Sequence, residues 1–160
     1  MKFMKTVLFI ILGCLFPLVT VAQKSSTVKN YSFEELDLVF EQEDKPAVIF
    51  LHTQWCKYCK AMIEDTFTDK KVTAIMNQNF YYVPFDAESK EDVIFKNVKF
   101  SYKPTGHRTG IHEIAQELLS QNEDKSYPVL VLINKDLEIL YQYSGFLDEQ
   151  EVTKILTQFI

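Results

Sequence analysis

The feature that most limits how this chain can fold is an apolar run that leads directly into a pair of cysteines. Residues 47–51 are apolar and rich in branched side chains, which is typical of a buried strand. Cys56 and Cys59 follow this run, and apolar residues then recur at helical intervals. The pattern therefore predicts a strand that ends close to two cysteines on the first turn of a helix.

The rest of the pattern predicts one α/β domain with a mixed sheet. Ser32 and Glu35 have capping-box spacing, and we expect the helix that they begin to run to about Glu43. Thr68 and Asp69 mark a kink or a newly capped helix after the cysteines. Further elements are expected as strands at residues 80–85, 129–133 and 137–143, and as a last helix capped by Asp148 with Glu151. The order is helix, strand, helix, strand, inserted segment, strand, strand, helix.

Residues 87–125 are the least regular stretch and form the predicted insertion. The pattern predicts a small hairpin at residues 93–100, a loop at residues 103–110 and an amphipathic helix at residues 111–119. The insertion either shapes the choice of substrate or partner, or is a surface decoration. The sequence leaves both interpretations open.

The N-terminal residues have the layout of a secretory signal peptide. Lys2 and Lys5 precede an apolar run at residues 7–19, and a small-residue site ends at Ala22. We expect cleavage after Ala22 and therefore an exported protein, located in the periplasm or otherwise outside the cytoplasm.

Cleavage after Ala22 would divide the chain into three parts. These are a signal peptide at residues 1–22, a flexible leader at residues 23–30 and a domain at residues 31–160. An uncleaved membrane anchor is one alternative, but the run is short for spanning and Pro17 interrupts it. A lipoprotein signal at Cys14 is another, but the apolar run before Cys14 is too short and continues after it.

Cleavage also changes which charges and cysteines remain. The formal net charge is −5 at pH 7, and losing Lys2 and Lys5 makes the protein more acidic. An acidic exported domain is a poor candidate for binding nucleic acid or anionic lipid. Cys14 would be lost, so that Cys56 and Cys59 would be the only cysteines. A bridge between them closes too short a loop to stabilise the fold much, so the pair indicates chemistry.

The position of the pair predicts a different chemical role for each cysteine. The N-terminus of a helix carries partial positive charge and free N–H groups, which favour a thiolate at Cys56. Lys57 and Lys60 add positive charge nearby. Cys59 lies one turn deeper. We therefore predict that Cys56 is the attacking nucleophile and Cys59 the resolving cysteine, with their disulfide as the only redox group and no other cofactor.

The same spacing also occurs in metal sites, which are the first alternative. Zinc normally takes four ligands, and the sequence has no second cysteine pair. His107 and His112 are far from the cysteines in sequence. A copper-handling role for Cys56, Cys59 and His52 belongs to the same alternative. The prediction is that no metal is bound.

These motifs together resemble the thioredoxin superfamily. The run Trp55-Cys56-Lys57-Tyr58-Cys59-Lys60 begins a helix, and Tyr127-Pro128 leads into a strand. The resemblance covers about residues 44–160. Thr66-Phe67-Thr68-Asp69 matches a T-F-x-D segment found in exported bacterial thioredoxin-like proteins, including the reducing domains of periplasmic electron-relay proteins.

The resemblance implies a thioredoxin-like fold, which has a central mixed β-sheet flanked by helices, here with the insertion before the cis-proline strand. It implies that Pro128 is that cis-proline and faces the dithiol. The backbone of Tyr127 would pair with an extended substrate peptide beside the sulfurs. Trp55 would pack and shield the dithiol, and Tyr58 would lie beside it within the motif.

Two positions depart from the pattern of the superfamily. Thioredoxins commonly place a buried Asp where this chain has Phe50, and that acid moves protons for the second cysteine. Water, Lys60 and Glu64 are the candidates to replace it. His52 stands where an aromatic residue is usual, and it either tunes Cys56 or packs against the site.

The sequence therefore predicts a thiol–disulfide oxidoreductase that acts on exported proteins as a monomer. Two sequence features give opposite predictions for the direction of electron transfer. Lys57 and Lys60 stabilise a thiolate, which favours an oxidant, whereas the T-F-x-D segment favours a reductase that a membrane electron donor keeps reduced. We favour the reductase. The alternative from another class is a non-catalytic module that binds a peptide or a metal.

Overall fold

The computed structural model describes residues 27–120 and 126–160. The predicted signal peptide, its cleavage site at Ala22 and the alternative lipoprotein cysteine, Cys14, lie outside the described residues. Within the described part, no helix has the length and apolarity needed to cross a membrane.

A four-stranded mixed sheet forms the centre of the fold, flanked by helices as expected for a thioredoxin-like fold. The strands are β1 Ala47–His52, β2 Tyr81–Asp86, β3 Val93–Phe95, β4 Val98–Phe100, β5 Tyr102–Pro104, β6 Gly110–His112, β7 Val129–Ile133 and β8 Ile139–Ser144. The order in the central sheet is β2-β1-β7-β8. β1 runs parallel to β2 and antiparallel to β7, and β8 is antiparallel to β7.

The helices follow the predicted order. They are α1 Phe33–Phe40, α2 Lys57–Glu64, α3 Lys70–Asn79, α4 Glu113–Leu118 and α5 Glu149–Leu156, with 3-10 turns at Thr66–Thr68 and Thr157–Phe159. Ser32 with Glu35 and Asp148 with Glu151 form the two predicted capping boxes. α1 ends at Phe40, short of Glu43, because its buried face ends there and the residues that follow are exposed.

β1 is buried on both of its faces, which explains the continuous apolar run in the sequence. Side chains of a strand alternate between the two faces of the sheet. Ile49 and Leu51 pack with α1 and the insertion, whereas Val48 and Phe50 pack with α2, α3 and α5. The two cysteines belong to the second of these cores. β1 thus runs through the centre of the protein and ends next to the dithiol.

The T-F-x-D segment separates α2 from α3. The Thr66 hydroxyl donates to the backbone oxygen of Leu147 at 2.9 Å, and the Phe67 ring meets the Phe50 ring edge-on. The Asp69 carboxylate accepts the N–H groups of residues 71 and 72 and so caps α3. The second of the two predicted alternatives, a newly capped helix, is therefore correct, and the segment anchors the end of α2 to the core.

The described residues of the insertion, 87–120, form two small hairpins and one helix. Lys96 and Asn97 have φ values of 51° and 61°, which are typical of a two-residue hairpin turn between β3 and β4. The predicted loop at residues 103–110 is shorter in the structure, at residues 105–109, because β5 and β6 pair and include both ends of the predicted range. Strands of three residues that contain Pro104 and Gly110 leave no alternating pattern to detect. α4 begins at Glu113, so residue 111 belongs to β6 rather than to the helix.

The predicted leader is described from Thr27 onward, and there it contacts the domain. Asn30 makes an isolated parallel bridge to Tyr82. The N–H of Lys29 donates to Asn77 Oδ1 at 2.8 Å, and the Asn77 amide donates to the backbone oxygen of Thr27 at 3.1 Å. Residues 27–30 are therefore attached to α3 and β2.

Candidate functional site

The site is built where β1 ends and α2 begins. The N–H of Cys56 donates to the backbone oxygen of Thr53 at 3.2 Å, which closes a turn after β1. Cys56 is the N-cap of α2, and its sulfur accepts the N–H of Cys59 at 3.1 Å. Cys56 and Cys59 are joined by a disulfide with 5.3 Å between their Cα atoms. One helical turn is thus enough to bring the sulfurs together.

The two cysteines differ in how far they reach the surface. Cys56 is 7% exposed and Cys59 is 1% exposed. Cys59 lies in a core that includes Phe50 and Met62. An incoming sulfur can therefore approach Cys56 more easily than Cys59. This is the geometry that a nucleophile and a resolving cysteine require.

Tyr127 and Pro128 lie at the same end of the sheet as the dithiol. Val129 in β7 pairs with Leu51 in β1, and the Tyr127–Pro128 peptide bond, which is cis, immediately precedes β7. The Tyr127 ring meets the Trp55 ring edge-on, with 6.3 Å between centroids. Burial raises the pKa of the Tyr127 phenol, and nearby carboxylates add to this effect.

Four aromatic side chains are linked to the cysteine motif by their place in the sequence or by ring contacts, and we call them the aromatic rim. They are Trp55, Tyr58, Tyr127 and Phe146. Trp55 is 69% exposed and Tyr58 is 56% exposed, and the Tyr58 ring is tilted against the Phe146 ring at 6.3 Å. Exposed apolar patches of this kind mark surfaces that bind other molecules.

The two predicted cations of the motif point into solvent. The Lys57 ammonium lies 5.3 Å from the centroid of the Tyr58 ring. The Lys60 ammonium is 3.7 Å from the Glu64 carboxylate, and both side chains are largely exposed. Solvent and salt screen such charges. The helix N-terminus and the N–H of Cys59 are therefore the nearer sources of positive potential at Cys56.

Neither of the two unusual positions supplies an acid. Phe50 is fully buried, and its ring stacks on His52 and meets Phe67 edge-on. Burial lowers the pKa of His52, and the charge of Asp86 opposes this effect. Among the described residues, the buried polar ones include no carboxylic acid; they are Thr53, Thr66, Thr73 and His112. Glu64 is exposed, outside the core that holds Cys59.

The histidines outside the motif do not join the cysteines. His112 is fully buried, accepts the N–H of Ile114 through Nδ1 and lies 3.1 Å from the backbone oxygen of Glu91 through Nε2. It caps α4 and has a structural role. His107 is exposed in the loop between β5 and β6. In residues 27–120 and 126–160, no group of three or more potential ligand side chains is placed to hold a metal ion.

Sequence reasoning missed a polar groove beside Trp55. The groove has a volume of about 810 Å³ and is lined by Gln54, Trp55, Asp86, Glu88, Ser89, Lys90, Glu91, Tyr102 and Arg108. The Trp55 indole donates to Glu88 at 3.1 Å, and the Gln54 amide donates to Asp86 at 3.2 Å. Only the β1–β2 pairing, which sets His52 opposite Asp86, reveals that these residues meet. The insertion thus forms one wall of the groove.

Comparisons with known proteins agree with this architecture. A family model described as a thioredoxin-like domain matches residues 34–160. No curated protein matches the chain.

Solved structures show the same fold. A DsbH oxidoreductase is 21% identical with a TM-score of 0.57, over 82% of this chain and 83% of its own. A protein described as a "putative disulphide-isomerase" from Bacteroides thetaiotaomicron is 25% identical with a TM-score of 0.55, over 82% of this chain and 89% of its own. The reduced C-terminal domain of DsbD from Neisseria meningitidis is 19% identical with a TM-score of 0.51, over 81% and 98%.

The lowered pKa of His52 predicts a pH-dependent contribution to stability. The unfolded chain binds a proton at this histidine near pH 6.5, whereas the folded chain binds it only at lower pH. The free energy of unfolding should therefore fall as the pH is lowered below about 6.5, and this contribution should level off below the folded pKa. His52→Phe should lose this contribution in urea titrations of the oxidised protein between pH 7.5 and pH 4, roughly the range in which histidine titrates.

Asp86→Asn is the matched control, because it removes the charge that raises the His52 pKa. It should deepen the loss of stability below pH 6.5, the unfolded value. Identical pH profiles for the wild type and His52→Phe would contradict the prediction.

Proposed function

The chain belongs to the thioredoxin-like domain family and is a thiol–disulfide oxidoreductase, and from that premise we propose that it reduces disulfides in exported proteins. One observation carries the proposal. The Cys56–Cys59 disulfide lies at the first turn of α2, where Cys56 is 7% exposed and Cys59 is 1% exposed. A bond that only stabilised the fold would gain little from so short a loop.

In the reduced protein, Cys56 would be the thiolate that attacks a substrate disulfide. The attack forms a bond between Cys56 and one substrate sulfur, and the other substrate sulfur leaves as a thiolate that takes up a proton. Cys59 then loses its proton and attacks the Cys56 sulfur, which releases the second substrate thiol and restores the Cys56–Cys59 disulfide. Two electrons pass from the protein to the substrate.

The hydrogen bond from the N–H of Cys59 to the Cys56 sulfur supports this division of roles. A hydrogen bond to an ionised acceptor is stronger than one to a neutral acceptor, so the bond favours the thiolate of Cys56. The free N–H groups of the first turn of α2 act in the same direction. In this proposal, Lys57 and Lys60 tune the site only through screened charges.

The aromatic rim supports a protein substrate rather than a small molecule. Trp55 and Tyr58 expose large apolar surfaces next to the dithiol, as binding surfaces for proteins do. We propose that an extended substrate segment lies between Trp55 and Pro128 and pairs with the backbone of Tyr127. The groove that the insertion helps to form would contact residues next to the substrate cysteine.

The exported location and the direction of transfer complete the proposal. The signal-like N-terminus argues for export into the periplasm. The protein would act as a monomer that a membrane electron donor returns to the reduced state. The similarity to a protein described as a disulfide isomerase is consistent with exchange on protein substrates. The alternative is a non-catalytic module that binds a peptide or a metal, and the exchange chemistry of the cysteines distinguishes the two.

Substitution of the cysteines tests the enzyme mechanism. Cys56→Ser should abolish the reduction of a protein disulfide such as that of insulin, because the attacking sulfur is lost. Cys59→Ser should capture substrates as mixed disulfides, because the resolving sulfur is lost. Mass spectrometry of the complexes trapped in a periplasmic extract would identify the partners.

The double variant Cys56→Ser with Cys59→Ser is the control, and it should trap nothing. Full activity of Cys56→Ser, or trapping by Cys56→Ser rather than by Cys59→Ser, would contradict the assigned roles.

The reduction potential tests the direction of transfer. A reductase should have a potential closer to that of thioredoxin, about −270 mV, than to that of the strong oxidant DsbA, about −120 mV. Equilibration with glutathione buffers, followed by separation of the two redox forms, gives the value. A potential near −120 mV would overturn the reductase assignment and leave an oxidase in its place.

A further inference from the structure

Thr53 has a buried side-chain oxygen without a hydrogen-bond partner in residues 27–120 and 126–160. The residue is 3% exposed. Buried hydroxyl groups are normally paired, and an unpaired one destabilises the fold and needs an explanation. The other two buried threonines in the described part of the chain are paired, since Thr66 donates to the oxygen of Leu147 and Thr73 to the oxygen of Phe67.

Thr53 lies directly beside the reactive cysteine. Its backbone oxygen accepts the N–H of Cys56 at 3.2 Å, which closes a turn over Gln54 and Trp55. In such a turn, the Cα atoms of the first and fourth residues lie within about 7 Å of each other. Both end residues are buried, whereas Gln54 and Trp55 are exposed. Thr53 is therefore a buried residue of the turn that leads into the dithiol, and its side-chain oxygen is unpaired there.

A hydroxyl can be unpaired in one redox state of a protein and paired in the other. The structure contains the disulfide, and a neutral bonded sulfur is a weak hydrogen-bond acceptor. A thiolate carries a full charge and accepts hydrogen bonds strongly. We propose that the Thr53 hydroxyl donates a hydrogen bond to the Cys56 thiolate in the reduced protein, and thereby favours the reduced form.

This inference rests on the proposed function, because it requires the cysteine pair to pass between its two redox states. Two glutathione molecules reduce the disulfide to a Cys56 thiolate and a Cys59 thiol. The other products are one glutathione disulfide and one proton, and two electrons pass to the protein. Thr53 changes no bond in this step. It is a positioning residue that offers a donor in only one of the two states.

The test compares the redox equilibria of two variants at residue 53. Thr53→Val replaces the hydroxyl with a methyl group at nearly constant shape, and Thr53→Ser keeps the hydroxyl. In equilibrium with glutathione, Thr53→Val should shift about tenfold toward the disulfide, as expected for loss of a hydrogen bond to a charged group. That shift corresponds to a potential about 30 mV lower. Thr53→Ser should behave like the wild type. Thr53→Ala is a second hydroxyl-free variant if the valine variant does not fold.

Thermal unfolding of both redox forms separates this role from a structural one. Thr53→Val removes an unpaired polar group from the oxidised protein, so the melting temperature of that form should rise. The melting temperature of the reduced form should not rise, because a hydrogen bond is lost there. A hydroxyl paired with a buried water would be paired in both states, and its removal would shift both forms alike.

Two outcomes would overturn the inference alone. These are equal glutathione equilibria for the wild type, Thr53→Ser and Thr53→Val, or equal shifts of both redox forms in thermal unfolding. A wild-type disulfide that does not exchange with glutathione at all would overturn the proposed function and the inference together.

Discussion

The hydrogen bond from the N–H of Cys59 to the Cys56 sulfur is the interaction on which the chemistry of the site depends. It exists because Cys56 is the N-cap of α2, and a residue at that position can accept an N–H that the helix itself leaves unpaired. The same geometry places the second cysteine one turn deeper, inside the core. One local constraint thus produces both an ionisable sulfur that is slightly exposed and a more deeply buried sulfur behind it.

The central sheet brings the remaining parts to this turn. β1 is buried on both faces and ends at the turn, β2 contributes Asp86, and the segment before β7 contributes Tyr127 and Pro128. The insertion adds Glu88, which accepts the Trp55 indole N–H. The insertion thus contacts Trp55, one member of the aromatic rim.

Much of the fold was predictable because its signals are local. The run in β1, the capping boxes of α1 and α5 and the hairpin at Lys96 and Asn97 depend on neighbouring residues, and the structure confirms them. The pairing of β5 with β6 was missed, since three-residue strands carry no pattern. The groove beside Trp55 was missed for another reason. Its residues come from β1, β2 and the insertion, and only the strand register brings them together.

The absence of an acid at Phe50 changes how the site can handle protons. Within the described residues, the core around Cys59 has no carboxylic acid, and the buried polar group beside the turn is the Thr53 hydroxyl, a donor to a thiolate rather than a base. The mechanism therefore depends mainly on the difference in exposure between the two sulfurs.

The most direct measurement is alkylation of the reduced protein at mildly acidic pH, with the modified residue located by mass spectrometry. The account predicts that Cys56 is labelled and Cys59 is protected. Equal labelling of both cysteines, or faster labelling of Cys59, would contradict it.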